Sequence, residues 1–341
     1  MQALNHVGYP SPLAITLGDP SGIGPEVIAK AWTRRTEAGL PPFFAVGDMR
    51  AIAAVSDLPV VRIHDPATAA GLFDSALPCF HVEEGPLALP GLPTLDGARS
   101  AFHSLEIATG LVRAESASAL VTGPISKSRL AEVGFTFPGQ TEFVAERCGV
   151  ARANTVMMLA GPSLRVVPIT IHVRFSDVPQ ALTIDLIRSR TIVTARGLQR
   201  NFGIARPRLA MASLNPHAGE DGIMGDEEER IIRPAIASLI EDGLDVTGPH
   251  PADALFTPRA RGGYDAALCM YHDQALIPLK ALDFDEGVNI TLGLPIVRTS
   301  PDHGTAFDIA GQDKADAGAM IAAIRMAHAA DLSRRASSAA A

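Results

Sequence analysis

The sequence predicts a globular α/β protein with a largely parallel sheet. Short apolar, strand-like runs alternate along the chain with longer helical patterns, which is the order that strand-helix-strand units produce. Hydrophobic residues make up 47% and charged residues 19% of the 341 residues, a composition typical of a folded enzyme. The length allows two lobes, each with its own hydrophobic core.

The predicted elements follow one another in a regular order. Strand-like runs at 13–17 and 42–47 are each followed by a helical pattern, the first over 25–35 with Pro25 at a favourable first position. Further runs lie at 120–122, 155–159, 165–171, 209–214 and 266–270. The clearest helices span 184–202 and 227–242, and the second has three glutamates in its first turn, where negative charge complements the helix dipole. A last helix is predicted over 315–328, and both chain ends are expected to fray.

Charge and hydropathy restrict the class of partner. The net charge is −8 and the mean hydropathy +0.18, without a long basic run, so neither nucleic acid nor an anionic membrane is expected as a partner. No apolar run reaches the roughly 18 residues that cross a bilayer, and no signal peptide pattern opens the chain. Cys79, Cys148 and Cys269 are too widely spaced for a disulfide framework or a zinc ribbon. We therefore expect a cytoplasmic protein that acts on a small molecule.

Three histidines occur in one kind of place, where a short apolar run ends and a polar, turn-rich segment begins. His172 ends the run 166–171, His217 follows 209–214, and His272 follows 266–270. Because the ends of neighbouring parallel strands meet at one edge of a sheet, the pattern predicts three imidazoles at a common edge, as in a metal site. Asp253 and Asp273 are carboxylates that could orient these imidazoles. The alternative for each histidine is a hydrogen-bonded turn or core residue.

Other polar residues suit the binding of an anionic substrate. Lys280, Asn289 and Arg298 would bind a phosphate or carboxylate if the fold brought them together, with Arg298 supplying two parallel donors. Gln140 and Thr141 stand just before a predicted helix, where Thr141 could either contact a substrate or cap that helix.

Two turn-rich segments have both a functional and a structural interpretation. The loop 18–26 follows a strand and opens a helix, but it has neither the GxGxxG nor the P-loop pattern. It is either a ligand-binding turn, with Asp19 as its most probable functional residue, or a tight strand-to-helix connection. The polar segment 302–306 is predicted to enter a helix, and it could contact a cofactor or cap that helix.

Several of these segments together resemble the 4-hydroxythreonine-4-phosphate dehydrogenase family of pyridoxal phosphate biosynthesis. The resemblance covers about residues 13–327. The motifs that carry it are Gly-Asp-Pro-Ser-Gly-Ile-Gly-Pro-Glu (18–26), Val-Thr-Gly-Pro-Ile-Ser-Lys (121–127), Leu-Asn-Pro-His-Ala-Gly-Glu (214–220), Tyr-His-Asp-Gln (271–274), Gly-Val-Asn-Ile-Thr-Leu-Gly-Leu-Pro (287–295) and Arg-Thr-Ser-Pro-Asp-His-Gly-Thr (298–305).

The resemblance implies a two-lobed α/β fold like that of isocitrate and isopropylmalate dehydrogenases, with the active site in the cleft between the lobes. The first lobe is expected to comprise 11–133 with 303–331. The second is expected over 134–302 and carries the metal ligands, while 1–10 and 332–341 are expected to be flexible termini. The resemblance further implies a homodimer whose sites are shared between subunits.

The resemblance also implies roles for individual residues. His172, His217 and His272 are implied to hold one divalent ion per site: zinc, magnesium, cobalt or manganese. Lys280, Asn289, Arg298 and Thr141 are implied to bind substrate, as is Gln140, which stands where the family has histidine. Glutamine forms hydrogen bonds but cannot become cationic near neutral pH. The candidates for accepting the substrate's proton are Asp253, Asp273 and water relayed to Lys280.

The implied activity is an NAD- or NADP-dependent oxidation of 4-phosphohydroxy-L-threonine. Its product is a β-keto acid that loses CO₂ to give 3-amino-2-oxopropyl phosphate. An alternative in the same family is a dehydrogenase of D-threonate or D-erythronate 4-phosphate. An alternative from another class is a metal-dependent phosphatase or a non-redox lyase. A non-catalytic binding protein would leave the three histidines unexplained.

Overall fold

The computed structural model describes residues 11–339. The strands in this part of the chain are β1 Leu13–Thr16, β2 Phe43–Gly47, β3 Val60–Ile63, β4 Leu77–His81, β5 Leu120–Thr122, β6 Val156–Ala160, β7 Arg165–Pro168, β8 Arg208–Ala212, β9 Asp245–His250, β10 Ala266–Cys269, β11 Val288–Leu292 and β12 Arg298–Pro301.

Helices alternate with these strands. They are α1 Gly24–Thr33, α2 Met49–Ala53, α3 Ala69–Leu72, α4 Leu95–Arg113, α5 Lys127–Glu132, α6 Gln140–Arg147, α7 Val178–Ala181, α8 Ile184–Phe202, α9 Arg233–Glu241, α10 Ala252–Leu255, α11 Pro258–Arg261, α12 His272–Leu282 and α13 Gly318–Ala339. A π-helical turn, Glu228–Ile232, leads into α9. None of the helices within residues 11–339 has the length and hydropathy that crossing a bilayer requires.

The chain divides into two compact units. The first comprises the described residues up to Cys148 together with Ile296–Asp331, and the second comprises Gly149–Pro295 with the described residues from Leu332 onward. The first unit thus includes 134–148 and 296–302, which the sequence analysis assigned to the second lobe. The physical reason is local packing, because Phe143 on α6 contacts Phe102 and Phe135, and β12 pairs with β5.

The strands of the first unit are all parallel, in the order β3, β4, β2, β1, β5, β12. Every residue of β1 and β2 is buried. Parallel strands that are covered on both faces have continuous apolar sequences, and this explains why 13–17 and 42–47 were recognisable as strands.

The second unit contains a mixed sheet in the order β11, β6, β7, β10, β8, β9. Strands β7, β10, β8 and β9 are parallel, whereas β6 runs antiparallel to both β7 and β11. The turn between β6 and β7 spans only 161–164 and is closed by a hydrogen bond from Gly161 N to Leu164 O. So short a connection can join only antiparallel strands. The predicted α/β class is therefore confirmed, with one reversed strand.

The C-terminal helix is longer than the sequence analysis predicted. Helix α13 continues past His328 to Ala339, so residues 332–339 of the expected flexible tail are helical. Arg334 explains the difference, because its guanidinium donates to Asn201 Oδ1 at 2.7 Å and to Pro295 O at 2.7 Å. The expected flexible segment 1–10 lies outside the described residues.

Candidate active site

The three predicted metal ligands follow three adjacent parallel strands. In the second unit β10 lies between β7 and β8 and is parallel to both. His272 begins α12 directly after β10, His172 lies in the loop after β7, and His217 lies in the loop after β8. The carboxyl ends of the three strands therefore occupy one edge of the sheet, as the pattern of apolar runs predicted.

Buried hydrogen bonds tie these three strand ends together. Thr170 Oγ1 donates to Met270 O at 2.7 Å, which joins the end of β7 to the end of β10. The Gln274 side chain accepts from Met270 N at 2.7 Å and donates to Ser213 O at 2.7 Å, which joins β10 to β8. Gln274 is buried, so this amide fixes the relative positions of the backbone segments that precede His272 and His217.

Two of the three imidazoles come close together within the chain. The ring centroids of His172 and His272 are 6.0 Å apart. His272 Nδ1 lies 2.6 Å from Asp273 Oδ1, a contact that leaves Nε2 for a ligand. Asp253 lies exposed in the first turn of α10. Within residues 11–339, no three His, Cys, Asp or Glu side chains stand together in a way that could hold a metal ion.

The loop that carries His217 has an unusual backbone. Six consecutive residues have positive φ: His217 (51°), Ala218 (56°), Gly219 (80°), Glu220 (45°), Asp221 (54°) and Gly222 (91°). L-residues avoid this region, at a cost of roughly 1 to 2 kcal/mol for each non-glycine residue. His172 also has a positive φ, of 55°. Backbone strain of this kind is concentrated at functional sites, which supports a functional role for both histidines.

Glu228 differs from its predicted role. The sequence pattern predicts it in the first turn of a helix, as a partner of the helix dipole. Instead it is 1% exposed, and its carboxylate accepts hydrogen bonds from the backbone N–H groups of Leu214 and Asn215, just before His217. No local pattern distinguishes it from Glu227 or Glu229, because its partners belong to a different loop.

The first unit contains a buried cation. Arg298, on β12, is 3% exposed, and its guanidinium donates to Thr122 Oγ1 at 2.6 Å and to Thr141 Oγ1 at 3.3 Å. Burial lowers the pKa of Arg298 to about 10, and the nearby Glu142 opposes that shift. The structure thus brings together Arg298 and Thr141, two of the predicted substrate-binding residues. Thr141 is not a helix cap, because the N-cap of α6 is Gly139.

Gln140, Asn289 and His303 each have a buried polar atom without a hydrogen-bond partner in the described part of the protein. Gln140 Nε2 donates to Gly123 O at 3.0 Å, but its Oε1 has no donor. Asn289, on β11 of the second unit, has an unpartnered Oδ1. His303 Nδ1 lies 3.1 Å from Gly304 O, whereas its Nε2 is unpartnered. Buried polar atoms without partners are rare, so these three are candidates for ligand contacts.

The remaining predicted residues occupy different places. Lys280 lies exposed in the last turn of α12, in the second unit. The segment 302–306 does not enter a helix, because α13 begins only at Gly318. The sequence pattern predicts a polar turn at 302–306, and it does not single out His303 as a binding residue.

The glycines of the loop 18–26 are explained by packing. A Cβ atom would lie 2.2 Å from Pro124 O at Gly18, and 1.9 Å from Leu17 O at Gly24. These positions require glycine because backbone meets backbone, which favours the interpretation as a tight connection. Asp19 is buried, its Oδ1 accepts from Ser21 N at 3.0 Å, and burial raises its pKa.

Comparison with known proteins gives consistent matches over nearly the whole chain. The family model described as "Pyridoxal phosphate biosynthetic protein PdxA" matches residues 40–327. A 4-hydroxythreonine-4-phosphate dehydrogenase of Zymomonas mobilis is 58% identical over 316 residues, which cover 93% of this chain and 94% of the relative. A protein of the same name from Erythrobacter litoralis is 57% identical over 321 residues, covering 93% and 95%.

A solved structure agrees with these matches. The crystal structure of 4-hydroxythreonine-4-phosphate dehydrogenase from Klebsiella pneumoniae has a TM-score of 0.84 to this chain, at 36% identity. The match covers 94% of this chain and 99% of that one. Sequence and fold are therefore similar to those of one group of oxidoreductases.

Proposed function

Because the chain belongs to the family of PdxA pyridoxal phosphate biosynthetic proteins, we propose that it oxidises 4-phosphohydroxy-L-threonine with a nicotinamide cofactor. The observation that carries this proposal is the 58% identity to a dehydrogenase of that name over 93% of the chain. Relatives named as dehydrogenases favour a redox reaction over the phosphatase and lyase alternatives.

The proposed reaction consists of an oxidation followed by a decarboxylation. The carbon that bears the secondary alcohol gives a hydride to NAD or NADP, and the alcohol loses its proton, which leaves a β-keto acid. The carbon–carbon bond to the carboxylate then breaks, and the adjacent ketone accepts the electron pair as CO₂ departs. Protonation gives 3-amino-2-oxopropyl phosphate. When bound, a divalent ion would lower the pKa of the alcohol and stabilise negative charge on its oxygen.

Two of the three histidines proposed as ligands are placed to hold such an ion together. Two imidazoles from adjacent strand ends lie near each other, and Asp273 is placed to fix the orientation of the His272 ring. We infer that His172, His217 and His272 hold the ion, which is Zn, Mg, Co or Mn. The contact with His272 favours an orienting role for Asp273, so Asp253 and water relayed to Lys280 are the better candidates for accepting the alcohol proton.

Arg298 and its neighbours fit an anionic group of the substrate. A guanidinium buried to this extent is desolvated, and an anion would compensate for part of that cost. Thr141 Oγ1 accepts a hydrogen bond from this guanidinium. The unpartnered Oε1 of Gln140 could accept a hydrogen bond from a substrate amine or hydroxyl. We propose that Lys280 and Asn289, in the second unit, are also substrate-binding residues.

We also propose a homodimer whose metal sites are shared between subunits. Five large apolar side chains are exposed on the loops beside the histidines and on or after α12: Phe175, Ile223, Met224, Ile277 and Phe284. Monomeric proteins rarely keep such side chains together on the surface. Phe175 also stacks edge-on against Tyr271, the residue before His272. The mass of the protein in solution, with and without an Ile223→Asp substitution, tests this proposal.

A substrate panel tests the activity. The chelated protein is supplied with NAD or NADP and with Mg, Mn, Co or Zn, and nicotinamide reduction is followed on 4-phosphohydroxy-L-threonine and on D-threonate and D-erythronate 4-phosphates. We expect metal-dependent reduction that is fastest on the first substrate and lost in His217→Ala, with the exposed His64→Ala as matched control. Phosphate release without nicotinamide reduction would refute the proposal, and a preference for the sugar acids would change its substrate.

A further inference from the structure

We propose that Glu228 is a positioning residue for His217, an inference that rests on the proposed metal-dependent function. Its buried carboxylate holds the strained turn that presents this histidine. The sequence gives no direct link between the two residues, and Glu228 does not contact the imidazole.

The carboxyl group of Glu228 holds the backbone at the entry to the turn. Glu228 Oε1 accepts from Leu214 N and from Asn215 N, both at 2.8 Å, and Oε2 accepts from Asn215 Nδ2 at 2.9 Å. Three hydrogen bonds accepted by one buried carboxyl group are a strong and directional anchor. They fix the two residues that lead into Pro216 and His217.

The middle of the turn also packs against Glu228. A Cβ atom on Gly219 would lie 2.8 Å from Glu228 Oε2 and 3.0 Å from Gly225 O, so the backbone of the turn packs directly on the carboxylate. Gly219 has a φ of 80° and is followed by three further residues with positive φ. The carboxylate therefore supports a left-handed segment that an isolated chain would not keep.

The helix that carries Glu228 begins with the π-helical turn Glu228–Ile232, a rare arrangement that is frequent at functional sites. The next residue along, Glu229, lies exposed and forms an ion pair of 2.6 Å with Arg233. The chain thus offers a matched control one position away.

The test compares Glu228→Gln with Glu229→Gln in the full-length protein. Glutamine at 228 keeps an acceptor for the backbone N–H groups but places an NH₂ group against Asn215 Nδ2, so one of the three bonds is lost. Co²⁺ affinity is measured by equilibrium dialysis and the ligand field by visible absorption, beside far-ultraviolet circular dichroism. We expect Glu228→Gln to bind Co²⁺ roughly 10- to 100-fold more weakly, with an altered absorption spectrum, and Glu229→Gln to match the wild type.

The outcomes separate the two proposals. If His217→Ala loses Co²⁺ affinity while Glu228→Gln keeps both affinity and spectrum, the positioning role is overturned and the metal site stands. If the wild type and His217→Ala bind Co²⁺ equally, the metal site itself is refuted, and the positioning role with it. If Glu228→Gln does not fold, Asn215→Ala is used instead. It should show the same loss of affinity, and unchanged binding would overturn the inference.

Discussion

Replacing Gln274 by methionine should destabilise the second unit severely, because this amide joins two strand ends in the core. Methionine has a similar length and no polar group that can replace the amide. The substitution leaves Met270 N–H and Ser213 C=O, both on buried residues, without their side-chain partner. Each unsatisfied buried group costs about 1 to 3 kcal/mol, so the two together should lower the free energy of unfolding by about 2 to 6 kcal/mol.

The assay is urea denaturation followed by far-ultraviolet circular dichroism at a fixed protein concentration. The exposed Gln180, in α7, provides a matched control, and Gln180→Met should stay within about 0.5 kcal/mol of the wild type. A Gln274→Glu variant separates the two bonds, because it keeps the acceptor for Met270 N but places a carboxylate oxygen against Ser213 O. If Gln274→Met unfolds at the same urea concentration as the control, the amide does not hold these strand ends together.

Three further predictions concern substrate binding and pH. Arg298→Lys keeps the charge but loses the two-pronged donor, and the loss of one charge-assisted hydrogen bond of about 1.5 to 3 kcal/mol should raise KM roughly tenfold to a hundredfold. An unchanged KM would argue against this role, and the exposed Arg196→Lys is the control. Gln140→His should make KM depend on pH near the imidazole pKa of about 6.5, with weaker binding on the acid side, because a cationic ring cannot accept the hydrogen bond that the glutamine oxygen is proposed to accept, and a pH profile like that of the wild type would contradict a substrate contact at this position. Burial alone would raise the pKa of Asp265, but hydrogen bonds from Arg208 outweigh it and hold that pKa below 3.8. The ionised carboxylate therefore stabilises the folded state above pH 3.8 and loses this contribution as the pH falls through its folded pKa, so Asp265→Asn should lower the melting temperature at neutral pH but not in acid. A difference that is independent of pH would contradict this reasoning.

Sequence patterns predicted the local features of the fold well. Helix α8 was expected over 184–202 and is found at Ile184–Phe202, because both of its ends are encoded nearby. Thr183 caps the first turn through a hydrogen bond from Leu186 N, and Gly203 ends the helix in the left-handed conformation. The common sheet edge of the three histidines was also predictable, since each follows a recognisable apolar run.

Features that depend on distant partners were not predictable. Strand β12 was missed because Arg-Thr-Ser-Pro lacks an apolar pattern, although all four residues are buried. Strand β11, the strand before it along the chain, pairs antiparallel with β6, a register that no local signal specifies. Gln274 binds Ser213 O and Glu228 binds the N–H groups of Leu214 and Asn215, all in a distant loop, so their burial could not be inferred from the residues beside them. The extension of α13 over 332–339 likewise depends on distant partners, because Arg334 donates to Asn201 Oδ1 and to Pro295 O.

The strand order β7, β10, β8 limits how the histidine positions can differ between related chains. Adjacent strands of any sheet lie about 4.8 Å apart, so the distances between the points where the three histidine loops begin are set by the sheet rather than by the lengths of the connections. Residues can be gained or lost in the helical connections without moving those points. Distant relatives with the same chemistry should therefore be recognised by histidines that follow three strands in this order, whatever the number of residues between them.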